Sequence, residues 1–444
     1  MAEQAIPLHE VPAEDQDALR AGRRALRAAF LGFFVDMFDV FLPVIALGPA
    51  MAYFQPATLS PALAATFYYA VFALSLIGRP VGAAFFGHYA DRIGRRKVTI
   101  VSVGGFAVVT LLIGLLPGYA AWGLGSLGVL ILLRFVDGLF LGGEYTGANP
   151  LAMEYAPKDR RGLWSAFIHM SFPLAMALMS VMTLVLLRAL PAGSAHSAYA
   201  RWGWRIPFFV GALLAVGVLL YYVHRVEEST VWQQSQPAGS PMLHLLQGSN
   251  LRCLGQVFFM MSGLWFTLNA VTAILPGVLL TVRHVDSVTV TLAQLAAYLV
   301  LTIIYIPVGM LGQKFGRRSI LALIGLAGCT AGPAFYFLLV RSGYRSAAEL
   351  TLLVVLINLC ATPAWAIVTA YINERFPTSV RATGYGIGYS AAMIVPAFSS
   401  FYMLGLRALG LPYAYTEIVL FALGGLLLLV GALSGPETCE VELG

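Results

Sequence analysis

Twelve long apolar stretches alternate along the chain with short polar connections, many of them basic. They lie near residues 29–53, 63–88, 98–117, 126–153, 163–188, 203–225, 253–280, 289–311, 319–340, 349–372, 381–405 and 414–434. An α-helix rises about 1.5 Å per residue, so a run of about 20 apolar residues crosses the hydrocarbon core of a bilayer. The pattern therefore predicts an all-α membrane protein of twelve transmembrane helices. The one long connection, 226–252, carries Glu227, Glu228, Gln233, Gln234, Pro237 and Pro241 and reads as a polar linker. This divides the chain into a leader at 1–28, a six-helix bundle at 29–225, the linker, a second six-helix bundle at 253–434, and a tail at 435–444.

The two bundles echo each other in their connections. Gly87-His-Tyr-Ala-Asp91-Arg92-Ile-Gly94-Arg95-Arg96-Lys97, after the second run, returns in altered form as Gly309-Met-Leu-Gly-Gln313-Lys314-Phe-Gly316-Arg317-Arg318. Glu154-Tyr-Ala-Pro157-Lys-Asp-Arg160 returns as Glu374-Arg-Phe-Pro377-Thr-Ser-Val-Arg381. The offsets are 222 and 220 residues, which marks a duplication arranged as a parallel repeat.

Composition agrees with lipid as the solvent: 59% of residues are hydrophobic and 11% charged, against about 25% charged in ordinary soluble domains. With both termini placed inside the cell, eighteen Lys and Arg residues fall on inner segments and seven on outer ones, which predicts cytoplasmic termini. The net charge of +6 is then a basic inner face, with no nucleic-acid partner implied. The polar leader and the acids Asp36 and Asp39 in the first run argue against a cleaved signal peptide. Cys253, Cys329, Cys360 and Cys439 show neither disulfide nor metal spacing. The chain contains no Asn-x-Ser/Thr sequon, which fits a bacterial plasma membrane.

Ionisable side chains inside hydrocarbon are costly and mark functional positions. Those in the predicted helices cluster in the first bundle: Asp36 and Asp39, Arg79, Arg134, Asp137 and Glu144, and His169. None is placed inside helices of the second. Asp36, Arg79 and Glu144 share one layer, about 10 to 14 Å deep at the helical rise. Asp36 and Asp39, at i and i+3, are expected close together, where like charges favour retaining a proton. Asp36, Asp39 and Glu144 are thus proton-coupling candidates, with a static ion-pair cluster of Asp36, Arg79 and Glu144 that merely locks the helices together as the alternative. Arg79 is the candidate for a substrate carboxylate, and Pro80 beside it predicts a local kink. Arg134 and Asp137, one turn apart, are expected to neutralise each other as a structural pair. Gly138, Gly142 and Gly143 allow close helix packing. His169, Trp265, Asn269, Tyr298, Tyr305, Asn358, Trp365 and Tyr389 are candidates to line a pocket. No nucleophile with a base, metal-ligand spacing or phosphate loop points to an enzyme or a cofactor.

The duplicated Gly87–Lys97 connection and the twelve runs resemble the major facilitator superfamily. Arg79-Pro80-Val-Gly82, Gly142-Gly143-Glu144, Glu154-Tyr-Ala-Pro157 and Arg160-Arg161-Gly162 resemble its metabolite:proton symporter branch. The resemblance implies a monomeric proton-coupled importer in the bacterial inner membrane, carrying small organic acids or zwitterions by alternating access. It also implies a gating loop built on Gly87, Asp91, Arg92, Gly94, Arg95 and Arg96. Two positions depart from the branch: Asp36 stands where a glutamate is usual, and Gln313 replaces the acid of the second loop. The latter predicts a one-sided gate controlled by Asp91. A single deep cation, Arg79, argues for a monocarboxylate, zwitterion or small hydroxy acid over a tricarboxylate. The alternatives are a proton-coupled exporter of an amphipathic compound and a transporter-like receptor.

Overall fold

The computed structural model describes residues 13–443 except 57, 60, 191–193, 195, 236–238, 343 and 345, so the first twelve leader residues and Pro237 lie outside the described residues. Each of the twelve apolar runs is a helical span: α1 (Asp17–Tyr53), α2 (Val71–Ile93), α3 (Arg95–Leu115), α4 (Leu124–Tyr155), α5 (Lys158–Ala189), α6 (Tyr199–Arg225), α7 (Gly248–Leu280), α8 (Ser287–Phe315), α9 (Arg317–Arg341), α10 (Ala347–Arg375), α11 (Thr378–Ala408) and α12 (Tyr413–Ser434). Aliphatic and aromatic side chains cover the outside, as Leu213, Ile303 and Phe401 illustrate, each about 70% exposed. Lipid is the environment in which such a surface is stable.

The spans run past their apolar cores because polar ends find partners. The leader is not a separate segment: the helix of α1 already begins at Ala13. Ala21, Ala25 and Ala28 bury one stripe of it, while Arg20, Arg23 and Arg27 stay exposed on the other. The linker is likewise built in. It forms the short helices Thr230–Gln234 and Pro241–Leu245 before α7 starts at Gly248. Ser229 accepts from the Trp232 N–H at 3.1 Å to cap the first of these, and the Trp232 indole donates to the Asp91 carbonyl at 2.9 Å.

Several spans change pitch where prolines remove backbone donors. Pro43 and Pro49 start the irregular end of α1, and α7 loosens over Ala270–Ile274 just before Pro276. The helix around Arg79 instead runs continuously from Pro61 to Ile93 with Pro80 inside it. Pro80 therefore does not interrupt the helix that carries Arg79, and neighbouring helices pack closely against that turn.

One of those neighbours is α4, which meets α2 backbone to backbone. A Cβ on Gly138 would strike the Ser75 carbonyl, and one on Gly142 the Arg79 carbonyl. Small residues permit this seam, and it fixes Arg79 against Arg134, Asp137 and Glu144. The first six spans and the last six then meet along α2 with α11 and along α5 with α8 and α10. Gly162 of α5 and Gly309 of α8 touch there, each so close to the other's carbonyl that a side chain would not fit.

Overpacking a close seam costs about 1–3 kcal/mol or more. Gly142→Val is therefore expected to lower the melting temperature of the detergent-solubilised protein well below that of Gly128→Val, a position with open space around it; equal melting curves would contradict a rigid α2–α4 seam.

Candidate functional site

At mid-depth, Arg79 from α2 grips Asp36 from α1 through both guanidinium ends, at 2.9 and 2.8 Å, and both residues are fully buried. A fork-to-carboxylate pair of this kind fixes geometry as well as charge. The guanidinium lies 4.9 Å over the ring of Tyr145. Glu144, the residue before Tyr145, is also fully buried, yet neither carboxylate oxygen has a hydrogen-bond partner among the described residues. It points at Gly32 of α1, where any side chain would collide with it, and it lies within electrostatic reach of Asp36 and Arg79.

The second cluster is centred on Arg134. Its Nη1 donates to Asp39 and to Asp137, each at 2.8 Å, and its Nη2 donates to Ser75 at 3.1 Å. Thr110 closes the other side of Asp39. The expected Arg134–Asp137 pair is present but shared. Asp36 and Asp39, one turn apart along α1, stay within electrostatic reach of each other, and each bonds a different arginine, Arg79 for Asp36 and Arg134 for Asp39. Glu144 also stands outside the static triad considered for Asp36, Arg79 and Glu144, since it bonds to neither.

Beside the Asp36–Arg79 pair, both halves contribute to an aromatic wall. Tyr145 packs on Tyr389 at 5.0 Å; Tyr389 contacts Trp265 and Trp365, each at 5.6 Å; and His169 stacks on Trp365 at 6.1 Å. With Phe33, Met37, Phe172 and Leu268, the side chains of His169, Trp265, Trp365 and Tyr389 line a small cavity of about 10 Å³ between the halves. The Trp265 indole is spent on the Tyr389 carbonyl at 2.8 Å. The Trp365 indole N–H and His169 Nε2 have no partner among the described residues, so the wall keeps two polar atoms available to a ligand.

Four candidates lie elsewhere. Asn269 bonds Ser399 at 3.1 Å and joins α7 to α11. Asn358 donates within α10 to the Val354 carbonyl at 2.9 Å and faces Gln294 of α8 at 3.4 Å. Tyr298 sits behind the wall, edge-on to Phe172 at 6.4 Å. Buried amides in lipid take nearby carbonyls as partners, which draws them out of a pocket. Tyr305 is buried but does not line the cavity. Missing from the sequence-based set are Tyr145 and Tyr385; the Tyr385 hydroxyl accepts from Asn149 of the first half at 2.7 Å and bonds Thr369 within its own half at 2.8 Å. Also missing is Glu417 of α12, 1% exposed, which places an ionisable group inside the second bundle after all.

The duplicated loops meet at the basic end in a reciprocal pattern. The Asp91 carboxylate accepts from the N–H groups of Ala382 and Thr383 at 3.1 and 2.9 Å and from the Thr383 hydroxyl at 2.6 Å, capping the first turn of the helix Arg381–Ser390 in the other half. Gln313 does the same in the opposite direction: its Oε1 accepts from the Gly162 N–H at 3.0 Å, at the first turn of Arg161–His169. The capping contact between the halves, expected to be one-sided, is thus two-sided. The amide keeps the acceptor the cap requires, and its Nε2 adds a bond to the Lys158 carbonyl at 3.1 Å.

Charge follows the same symmetry. Arg95 binds Asp91 at 3.4 Å and Glu154 at 2.9 Å, while Arg381 from the other half reaches Glu154 at 2.8 Å. Arg317 binds Glu374 at 3.1 Å, with Arg161 at 3.9 Å. Gly94 and Gly316 hold φ of 112° and 94°, which favours glycine, and turn the chain into α3 and α9. Glu228 accepts from the Arg95 and Arg96 N–H groups at about 3.1 Å, and Glu437 from those of Arg317 and Arg318 at 2.8 and 3.0 Å. An acid at a helix N-terminus meets both the free N–H groups and the positive end of the dipole. Burial pushes the Glu228 carboxyl above the ordinary carboxylate range, against the opposing pull of these contacts. Arg96 caps the end of α6 through the Val226 and Val223 carbonyls at 2.7 and 2.8 Å, whereas Arg92 is exposed.

The sequence pattern of the Major Facilitator Superfamily matches residues 29–400. The chain belongs to that superfamily. Among similar superfamily proteins, the citrate-proton symporter of Klebsiella pneumoniae is 31% identical over 82% of this chain and 80% of its own. The proline/betaine transporter of Escherichia coli (strain K12) is 27% identical over 93% and 84%, and the shikimate transporter of the same organism 26% over 86% and 87%. The fold matches the proton:xylose symporter XylE bound to 6-bromo-6-deoxy-D-glucose with a TM-score of 0.76, at 18% identity over 94% of this chain and 96% of that one. The protein is accordingly a twelve-span superfamily transporter and not an enzyme.

Hydrogen bonds to charged groups contribute about 1.5–3 kcal/mol. Asp91→Ala is expected to shift the population toward an open basic end by about tenfold or more, read from distances between spin labels on α2 and α11. Asp91→Asn, which keeps an acceptor as Gln313 does, is expected to shift it less. Identical distance distributions for the two variants would show that the cap is not what the loop contributes.

Proposed function

We propose that the chain is a proton-coupled secondary transporter that imports a small organic acid or zwitterion across the bacterial inner membrane, with both termini cytoplasmic. The observation carrying this reading is Arg79, fully buried and held by Asp36, with the unpartnered carboxylate of Glu144 within electrostatic reach. Four buried acids, Asp36, Asp39, Asp137 and Glu144, surround two arginines, Arg79 and Arg134. Uncompensated charge in a dry interior is expensive, so protons complete the balance. Glu144 is the proton carrier in this reading, and passing its proton to Asp36 frees the Arg79 fork for a substrate carboxylate, with the aromatic wall beside it for the remainder of the molecule.

The caps that lock the basic end support a step of the cycle closed on that side. Under the basic-inside orientation, substrate and proton enter together from the opposite end, the halves rock about the site, and opening of the paired locks releases both to the cytoplasm. The names of the citrate-proton symporter and the proline/betaine and shikimate transporters agree with this substrate range. One feature favours a second reading, export of an amphipathic compound: among the described residues, no Asp, Glu, Lys or Arg lines the small cavity.

Proteoliposomes with an imposed proton gradient separate the two. Import predicts accumulation of a carboxylate or zwitterion when the outside is acidic. Arg79→Ala is expected to weaken apparent affinity at least about tenfold, the usual scale for removing one partner of a buried charge pair. Glu144→Gln is expected to abolish gradient-driven accumulation while sparing exchange of substrate across the membrane at equal pH. Gradient-independent uptake, or proton-driven expulsion of amphipathic compounds indifferent to Arg79→Ala, would reject import.

A further inference from the structure

At the basic end of the first bundle, away from the central cavity, α1, α3, α4, α6 and the linker enclose an open cup of about 620 Å³. Its lining includes Arg24, Arg96, Lys97, His224 and Arg225, opposed by Glu227 and Glu228. Those two acids are engaged: Glu228 caps α3, and Glu227 pairs with Arg24 at 3.2 Å. The Arg96 guanidinium is committed to the Val226 and Val223 carbonyls. Lys97 and Arg225 are both exposed and, among the described residues, have no hydrogen-bond or ion-pair partner. The cup therefore presents two uncommitted cations, with His224 beside them.

Its rim continues into the apolar outer surface. Ile93 and Val223 at the rim are 48% and 41% exposed, and above them Val101 and Val108 of α3 and Val216 and Leu220 of α6 are exposed in turn. These two spans pack against each other, and Gly217 on α6 faces open space. A basic concavity at the level where the spans end, running into a strip of lipid-facing side chains, fits a molecule with an anionic phosphate head and hydrocarbon tails.

We propose that this cup binds the headgroup of an anionic phospholipid, with Lys97 and Arg225 holding the phosphate and the acyl chains lying along α3 and α6. Membrane-surface cations attract anionic lipid individually; here the concave lining and the neighbouring strip turn that attraction into a discrete site. The lipid would tie the linker to α1, α3 and α6, so its occupancy bears on the stability of the first bundle rather than on substrate choice.

Native mass spectrometry of the full chain in detergent, titrated with phosphatidylglycerol or phosphatidylcholine, tests the assignment. Wild-type protein is expected to retain one phosphatidylglycerol in preference to phosphatidylcholine. Replacing both cations, Lys97→Gln with Arg225→Gln, is expected to weaken that binding at least about tenfold, while Arg252→Gln, an exposed cation outside the cup, leaves it unchanged. Glu227→Gln, which releases Arg24, is expected to strengthen it and gives a gain that misfolding cannot imitate. The proposal is overturned if phosphatidylcholine binds equally well, if the double variant matches Arg252→Gln, or if soluble glycerol phosphate displaces the lipid, which would make the cup a site for free phosphate compounds.

Discussion

Lipid offers no hydrogen bonds, so polar groups buried in the spans of this chain are driven to find partners inside the protein. The basic end shows how that constraint becomes architecture. A side chain at the end of α2 satisfies the first turn of α11, and its repeat on α8 satisfies the first turn of α5. Each half therefore supplies what the other's backbone lacks. The ion pairs around Glu154 and Glu374 reinforce the exchange, but the caps set its geometry, because the first N–H groups of a helix point in one direction only. Deeper in, the same constraint gathers acids around Arg79 and Arg134 and leaves Glu144 without a bond.

Much of this was legible in the chain. The twelve spans follow from apolar run length, and the doubled loop and the echoed Glu154 and Glu374 segments announce matching halves. Arg79 and Arg134 stand out because arginine in hydrocarbon requires a partner. Which acid each arginine takes was not legible: helical spacing makes Asp36 and Asp39 neighbours, but the level at which α2 and α4 cross α1 decides the pairing. Gln313 misleads for a related reason. Counting charge predicts a lost lock, whereas the cap needs an acceptor oxygen, and an amide has one.

The second half shows where periodicity runs out. Trp265, Trp365 and Tyr389 reach the cavity, but Asn269 and Asn358 are consumed by contacts between helices. Nothing in the local sequence separates the two outcomes, because a buried amide and a pocket amide have the same surroundings along the chain. Glu417 escaped notice because it stands only four residues into α12, where a carboxylate is usually solvated; here tertiary packing covers it. The linker was likewise undervalued. Its polarity suggests a tether, yet Glu228 and Trp232 dock it onto the turn between α2 and α3.

The glycine seam between α2 and α4 has a mechanical consequence. Two backbones in direct contact have no side-chain layer to shear through, so Arg79, Arg134 and Glu144 travel as one body. The aromatic wall, divided between the halves, has no such weld. Whatever Arg79 holds is thus tied to the first bundle, and the joint between the halves runs through the aromatic wall instead of the seam.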